Sequence, residues 1–208
     1  MSATVNIQAR AFAAALKCAS KQDVRYYLNG AYLDFPKGRI VSTTGHIMFI
    51  GKIEAATLPP VIVPRDLIES ALRSLTKKAR ESEQTIAVTI KQYPEAESGT
   101  TVTLDTGKGS FTEQAIDGRF PDYERVVPLV PSGEIGQYDA DYIATCADAL
   151  RAYTGDYRMR AWIIQHNGES SAALMPGADC LCVVMPVRAG DSADTDWYQS
   201  PVKLAAAA

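Results

Sequence analysis

Two histidines, His46 and His166, and four cysteines, Cys18, Cys146, Cys180 and Cys182, are the side chains best suited to acid–base, nucleophilic or metal chemistry. A hydrolase would set one histidine beside a Cys or Ser and orient it with a carboxylate. Neither that spacing nor a nucleophile elbow occurs in the sequence. The cysteines form no C-x-x-C pair, and no histidine is placed to complete a zinc site. Cys180 and Cys182 lie two apart in an apolar run, so on a strand they share one face as small core residues. Gly107-Lys108-Gly109 lacks the surrounding spacing of a phosphate-binding loop and reads as a turn between strands. Acidic residues are scattered and form no metal-binding array. The residues therefore predict no catalytic set, no metal and no cofactor, which is the pattern of a non-enzymatic protein.

Charge narrows the binding options. The 208 residues carry a formal net charge of -3, with a pI near 5.4. A tight, static grip on nucleic acid depends on many Lys and Arg neutralising phosphates, so only a weak or mobile contact fits this balance. A hydrophobic content of 47% suffices for one ample core or two small ones. Unpaired cysteine spacing fits a reducing, cytoplasmic compartment. No stretch approaches the roughly 18 apolar residues that a membrane helix needs.

The elements that would position any site recur three times: a short strand, an amphipathic helix, then three strands separated by Gly or polar turns. The first copy has a strand over 4–7, a helix over 9–20, and strands over 25–35, 39–44 and 47–54. The second has a strand over 61–63, a helix entered at Pro64 and running to about 80, and strands over 85–93, 101–105 and 110–116. The third has a strand over 134–138, a helix over 140–153, and strands over 158–165, 170–175 and 180–186. One such unit buries too little apolar surface to stand alone, so neighbouring copies are expected to share sheets. The fold class is α+β, with residues 1–123 as one two-copy domain, 124–132 as linker, 133–190 as a half-domain and 191–208 as a mobile tail.

Five ordered segments resemble the bacterial sliding clamp family, the beta subunit of DNA polymerase III. They are Arg25-Tyr26-Tyr27-Leu28-Asn29-Gly30 and Ser42-Thr43-Thr44-Gly45-His46, the latter similar to the family's A-T-D-G-H-R turn. Val61-Ile62-Val63-Pro64-Arg65 follows, then the run from Ile116-Asp117-Gly118-Arg119-Phe120-Pro121-Asp122-Tyr123 to Pro128, and finally Val183-Val184-Met185-Pro186-Val187-Arg188. The resemblance implies a DNA-clamp fold of three βαβββ modules, matching the family's middle domain and the second half of its last domain.

It also implies two functional surfaces. A peptide-binding pocket would use Leu28, Thr43, Gly45, His46, Met48, Pro121, Arg125, Val126, Val183 and Met185. Such an apolar cleft suits a short extended peptide with Leu and Phe anchors, and Met48 and Met185 would supply an adaptable wall. Arg10, Lys17 and Lys21 on the first helix, Arg73, Lys77 and Arg80 on the second, and Tyr26 and Tyr27 would face DNA, meeting phosphates without reading bases. Two departures strip charge from the pocket rim: Thr44 stands where the family has Asp, and Ile47 where it has Arg. The third helix is acidic as well, with Asp139, Asp141 and Asp148 against Arg151.

The implied partners are duplex DNA, bound without sequence preference, a polymerase or other protein bearing a clamp-binding peptide, and a clamp loader. Module counting makes a homo-tetramer the assembly that closes a ring. The resemblance thus implies a processivity factor that encircles DNA. A phage or mobile-element decoy or adaptor, binding the same peptides without encircling DNA, is the alternative reading.

Overall fold

A computed structural model describes residues 2–92 and 99–187. The expected mobile tail over 191–208 lies outside the described residues. The first copy comprises β1 (Ser2–Gln8), α1 (Ala9–Cys18), β2 (Gly30–Asp34), β3 (Arg39–Thr43) and β4 (Ile47–Lys52). The second comprises β5 (Val61–Pro64), α2 (Arg65–Ser74), α3 (Lys77–Glu81), β6 (Thr85–Gln92), β7 (Thr100–Asp105) and β8 (Ser110–Gln114). The third contributes α4 (Ala140–Thr154), β9 (Ala173–Gly177) and β10 (Cys180–Val184).

These strands form two antiparallel sheets, ordered β1-β6-β7-β8 and β5-β2-β3-β4-β10-β9. The first two copies exchange their opening strands. β1 pairs with β6 of the second copy from Ser2↔Lys91 to Gln8↔Thr85, and β5 returns to β2 of the first from Gly30↔Pro64 to Leu33↔Val61. The third copy extends the larger sheet, because β10 lies against β4 from Cys180↔Gly51 to Val184↔Ile47.

Side-chain alternation explains why each sheet sits where it does. In β6, Ile86, Val88 and Ile90 are buried while Ala87 and Thr89 are only half-buried, so this sheet turns one face to the core. The larger sheet is covered on both faces. Leu33, Ile40, Phe49, Val63 and Cys182 meet the helices, whereas Val41, Met48, Ile62 and Val183 form a second cluster with Phe120 and Tyr123. Alanines on the buried faces of α1 and α4, including Ala14, Ala15 and Ala149, let these two helices pack together.

The segment after β8 crosses the outer face of the larger sheet and is fastened there. The Tyr123 hydroxyl donates to Asp34 Oδ2 at 2.9 Å and accepts from Arg39 Nη1 at 3.3 Å. The Phe120 ring stacks on Tyr32 with centroids 4.7 Å apart. Glu124 pairs with Lys37 and Arg39, which pull its carboxyl below the usual range, but these groups are half-exposed and contribute little. The phenol is different, since burial pushes its ionisation well up and Asp34 is itself buried. Tyr123→Phe leaves that carboxylate without its donor. It should lower stability by about 1–2 kcal/mol, read as a fall in the urea midpoint at unchanged m-value.

Four expected elements differ in detail. The helix from Pro64 to about 80 is two helices: α2 ends at Ser74, and the Thr76 hydroxyl accepts from the Ala79 N–H to cap α3. The strand over 25–35 starts only at Gly30, because Tyr26–Leu28 form a 3-10 turn. Reciprocal bonds of 2.9 Å between Asn29 and the Asp23 backbone compete with a ladder there. Tyr27 and Leu28 are therefore turn residues and do not alternate across a strand. Residues 134–138 and 158–165 form no regular strands, and Gln165↔Leu174 is an isolated bridge. The first two copies each hand their opening strand to the other, and no further copy among the described residues receives one from the third.

Candidate functional site

The β3–β4 turn is built by its own hydroxyls. Thr43 Oγ1 donates to Ile47 O at 2.7 Å and accepts from Gly45 N–H at 2.9 Å, while Thr44 Oγ1 accepts from the N–H groups of His46 and Ile47 at 3.3 Å. Gly45 has φ +95, and a Cβ there would sit 2.8 Å from Arg25 Nη1. That guanidinium is fixed in turn, with Nη2 donating to Asp23 Oδ2 at 2.7 Å and to Thr44 O at 3.0 Å.

Beside this turn lies a cavity of about 220 Å³. Its floor combines Leu28, Met48 and Val183, all buried, with Tyr123 from the crossing segment. Met48 and Val183 face each other in the β4–β10 register, so the floor spans the join between first and third copies. His46, Pro121, Val126 and Met185 form the walls and rim. His46 stacks on Tyr142 of α4 at 5.6 Å, and its carbonyl accepts from Met185 N–H at 2.8 Å. The lining is mainly apolar, so it can hold apolar side chains by removing them from water, with Arg25 and backbone groups at the edge.

Of the expected pocket residues, Leu28, Thr43, Gly45, His46, Met48, Pro121, Val126, Val183 and Met185 surround this one cavity, and Arg125 does not. Arg125 is exposed on the 3-10 turn Tyr123–Val126. The cation at the cavity is Arg25, which opens the R-Y-Y-L-N-G motif and lies outside the expected pocket set. The Asp23-x-Arg25 spacing was the available signal. Ile47 borders the cavity too, although its side chain is buried in the core against the helices, on the opposite side of β4 from that of Met48.

The Arg25 side chain beside Asp23 holds that carboxyl down at about 2. A depressed carboxyl stabilises the fold above its ordinary value of 3.8, and the contribution is lost as pH falls toward about 2. The latch should therefore stay closed through mildly acidic conditions, with Asp23 showing no titration above pH 4 by NMR. Gly45→Ala should break it from the other side. The strained φ and displaced Arg25 are expected to cost about 1–3 kcal/mol, measured by thermal unfolding.

The residues expected to face DNA do not share one environment. Lys17, Lys21, Arg73 and Lys77 are exposed. Arg73 lies 3.7 Å from Glu69 and Lys77 3.8 Å from Glu81, so neighbouring acids offset both charges. Arg10 is half-buried, its Nε donating to Gln8 Oε1 at 2.6 Å and Nη1 to Thr154 O at 3.5 Å. Arg80 is half-buried too, and its buried Nε has no hydrogen-bond partner among the described residues. Tyr26 is 56% exposed, whereas Tyr27 lines the cavity. On α4, Asp139 caps the helix by accepting from Asp141 and Tyr142 N–H, and Asp148 pairs with Arg151 at 2.7 Å. Arg65 of the V-I-V-P-R segment is a positioning residue, donating to Leu16 O and Ala19 O at the end of α1.

No family model matches the chain. It is 37% identical over 115 residues to the beta sliding clamp of Pseudomonas putida, a match covering 52% of this chain and 28% of that protein. To the Caulobacter vibrioides beta sliding clamp it is 32% identical over 147 residues, covering 66% and 36% respectively. The chain thus spans about a third of the length of these relatives. Among solved structures, the DNA polymerase sliding clamp of Pseudomonas aeruginosa superposes with a TM-score of 0.67 at 22% identity, covering 89% of this chain and 66% of the other. The chain has the DNA-clamp fold, and over part of its length its sequence is similar to the bacterial beta sliding clamp.

Proposed function

We propose that the chain is a sliding-clamp-type processivity factor that holds partner proteins by a short peptide docked beside the β3–β4 turn. The observation that carries this reading is the convergence of four separated segments on one mainly apolar cavity: Tyr27-Leu28, Thr43 to Met48, Pro121 to Val126, and Val183 with Met185. Residues 1–123 would act as one clamp domain, with the third copy as a half-domain. Lys17, Lys21 and the exposed side of α2 and α3 would skim DNA phosphates, and the loose, partly paired charges suit sliding better than pinning. Four chains would close the ring, and a loader would open it.

The same partly paired charges, with the acidic α4, favour a second reading: a decoy or adaptor that binds clamp-binding peptides without encircling DNA. The test combines light scattering over a concentration series with extension of primed circular DNA. A tetramer that stimulates a polymerase when a loader is supplied is the expected result. A stable monomer that inhibits a bacterial clamp reaction would transfer the assignment to the decoy, and absence of peptide binding would overturn both.

A further inference from the structure

Cys18 ends α1, Cys146 lies in the middle of α4 and Cys182 in the middle of β10, yet their sulfur atoms all lie within 4.8 Å of one another. All three residues are fully enclosed, at 0% exposure. Much of the buried α1 and α4 surface around them is alanine, so three sulfurs at one point are chemically distinct from their surroundings. No local pattern announces this cluster, because the residues are far apart in the chain and obey no metal-binding spacing.

Thiolates are soft ligands and select soft cations. Structural zinc takes four ligands, and among the described residues no further Cys, His or carboxylate joins these three. Three-fold sulfur coordination suits copper(I). Metal–sulfur bonds of about 2.3 Å in a trigonal plane place the sulfurs roughly 4 Å apart, so closure requires shifts of under about an ångström. The thiolate and not the thiol is the ligand, so loading the site expels thiol protons and uptake should strengthen as pH rises.

We propose that Cys18, Cys146 and Cys182 form a buried copper(I) site that pins α4 and β10 onto α1. Cys182 points into the core while the next residue, Val183, lies in the cavity floor on the other face of the strand. A bound ion would therefore stiffen that floor from behind. The proposal is independent of what the cavity binds.

Because the sulfurs are enclosed, the full-length chain is unfolded and refolded anaerobically with copper(I) held by a coloured chelator. One equivalent per chain should be withdrawn from the chelator, and the unfolding midpoint should rise. Cys18→Ala and Cys146→Ala should lose the withdrawal, and Cys180→Ala, outside the set, should keep it. Alkylation of the unaltered chain during unfolding provides a check that needs no variant: copper should protect Cys18, Cys146 and Cys182 and leave Cys180 reactive. A correctly refolded chain that withdraws no copper, or one whose withdrawal or protection does not depend on these three cysteines, would overturn the proposal.

Discussion

Met185→Asp is expected to weaken binding of a Leu- and Phe-bearing peptide by about 100-fold, close to 3 kcal/mol. Met185 is half-buried on the cavity wall, and its backbone N–H is already committed to His46 O. A carboxylate there keeps its water in the free protein and loses it under a docked apolar side chain. The cost therefore falls on the complex. Fluorescence polarisation of a labelled peptide reads it directly, and urea unfolding should give nearly the parent midpoint. Equal peptide affinity in parent and variant would remove the cavity from the proposed binding mode.

Phe49→Ala should have the largest effect on the fold, at about 3–5 kcal/mol. Phe49 is fully buried on β4, opposite Cys182 of β10, with its ring 5.6 Å from that of Tyr153 on α4. The Tyr153 hydroxyl donates to Lys52 O, and burial pushes its ionisation up to about 12. Removing the Phe49 ring undermines both elements of the third copy where they dock on the first. The urea midpoint should fall sharply, and hydrogen exchange should become fastest in α4, β9 and β10. Peptide affinity should fall too, because Val183 leaves the floor when β10 loosens. Loosening confined to β1, β6 and β7 would contradict this account of how the third copy is held.

The first two copies were legible because their periodicity is strong. Alternating Ile86, Val88 and Ile90 mark a half-buried strand, and Pro64 marks the entry to α2. The third copy was half legible. Asp139 and the apolar spacing of α4 announce a helix, whereas residues 158–165 have the composition of a strand but no neighbour to pair with beyond one bridge. Pairing is decided by what lies alongside, and no local pattern records it. The same limit explains the cavity. Its apolar residues could be grouped through family resemblance, but Arg125 and Arg25 could be told apart only once the turn at Tyr123–Val126 and the Asp23 contact were fixed in space. The cysteine cluster had no local signature at all.

The exchange of β1 and β5 has a consequence during synthesis. β1 leaves the ribosome before its partner β6, which ends at Gln92, so this strand has no native neighbour until most of the second copy has emerged. At about 5–20 residues per second, that delay is on the order of 5–20 s. For that interval the nascent chain presents an unpaired strand edge containing Val5 and Ile7. Its folding in the cell is governed by how well that edge is shielded as much as by the stability finally reached.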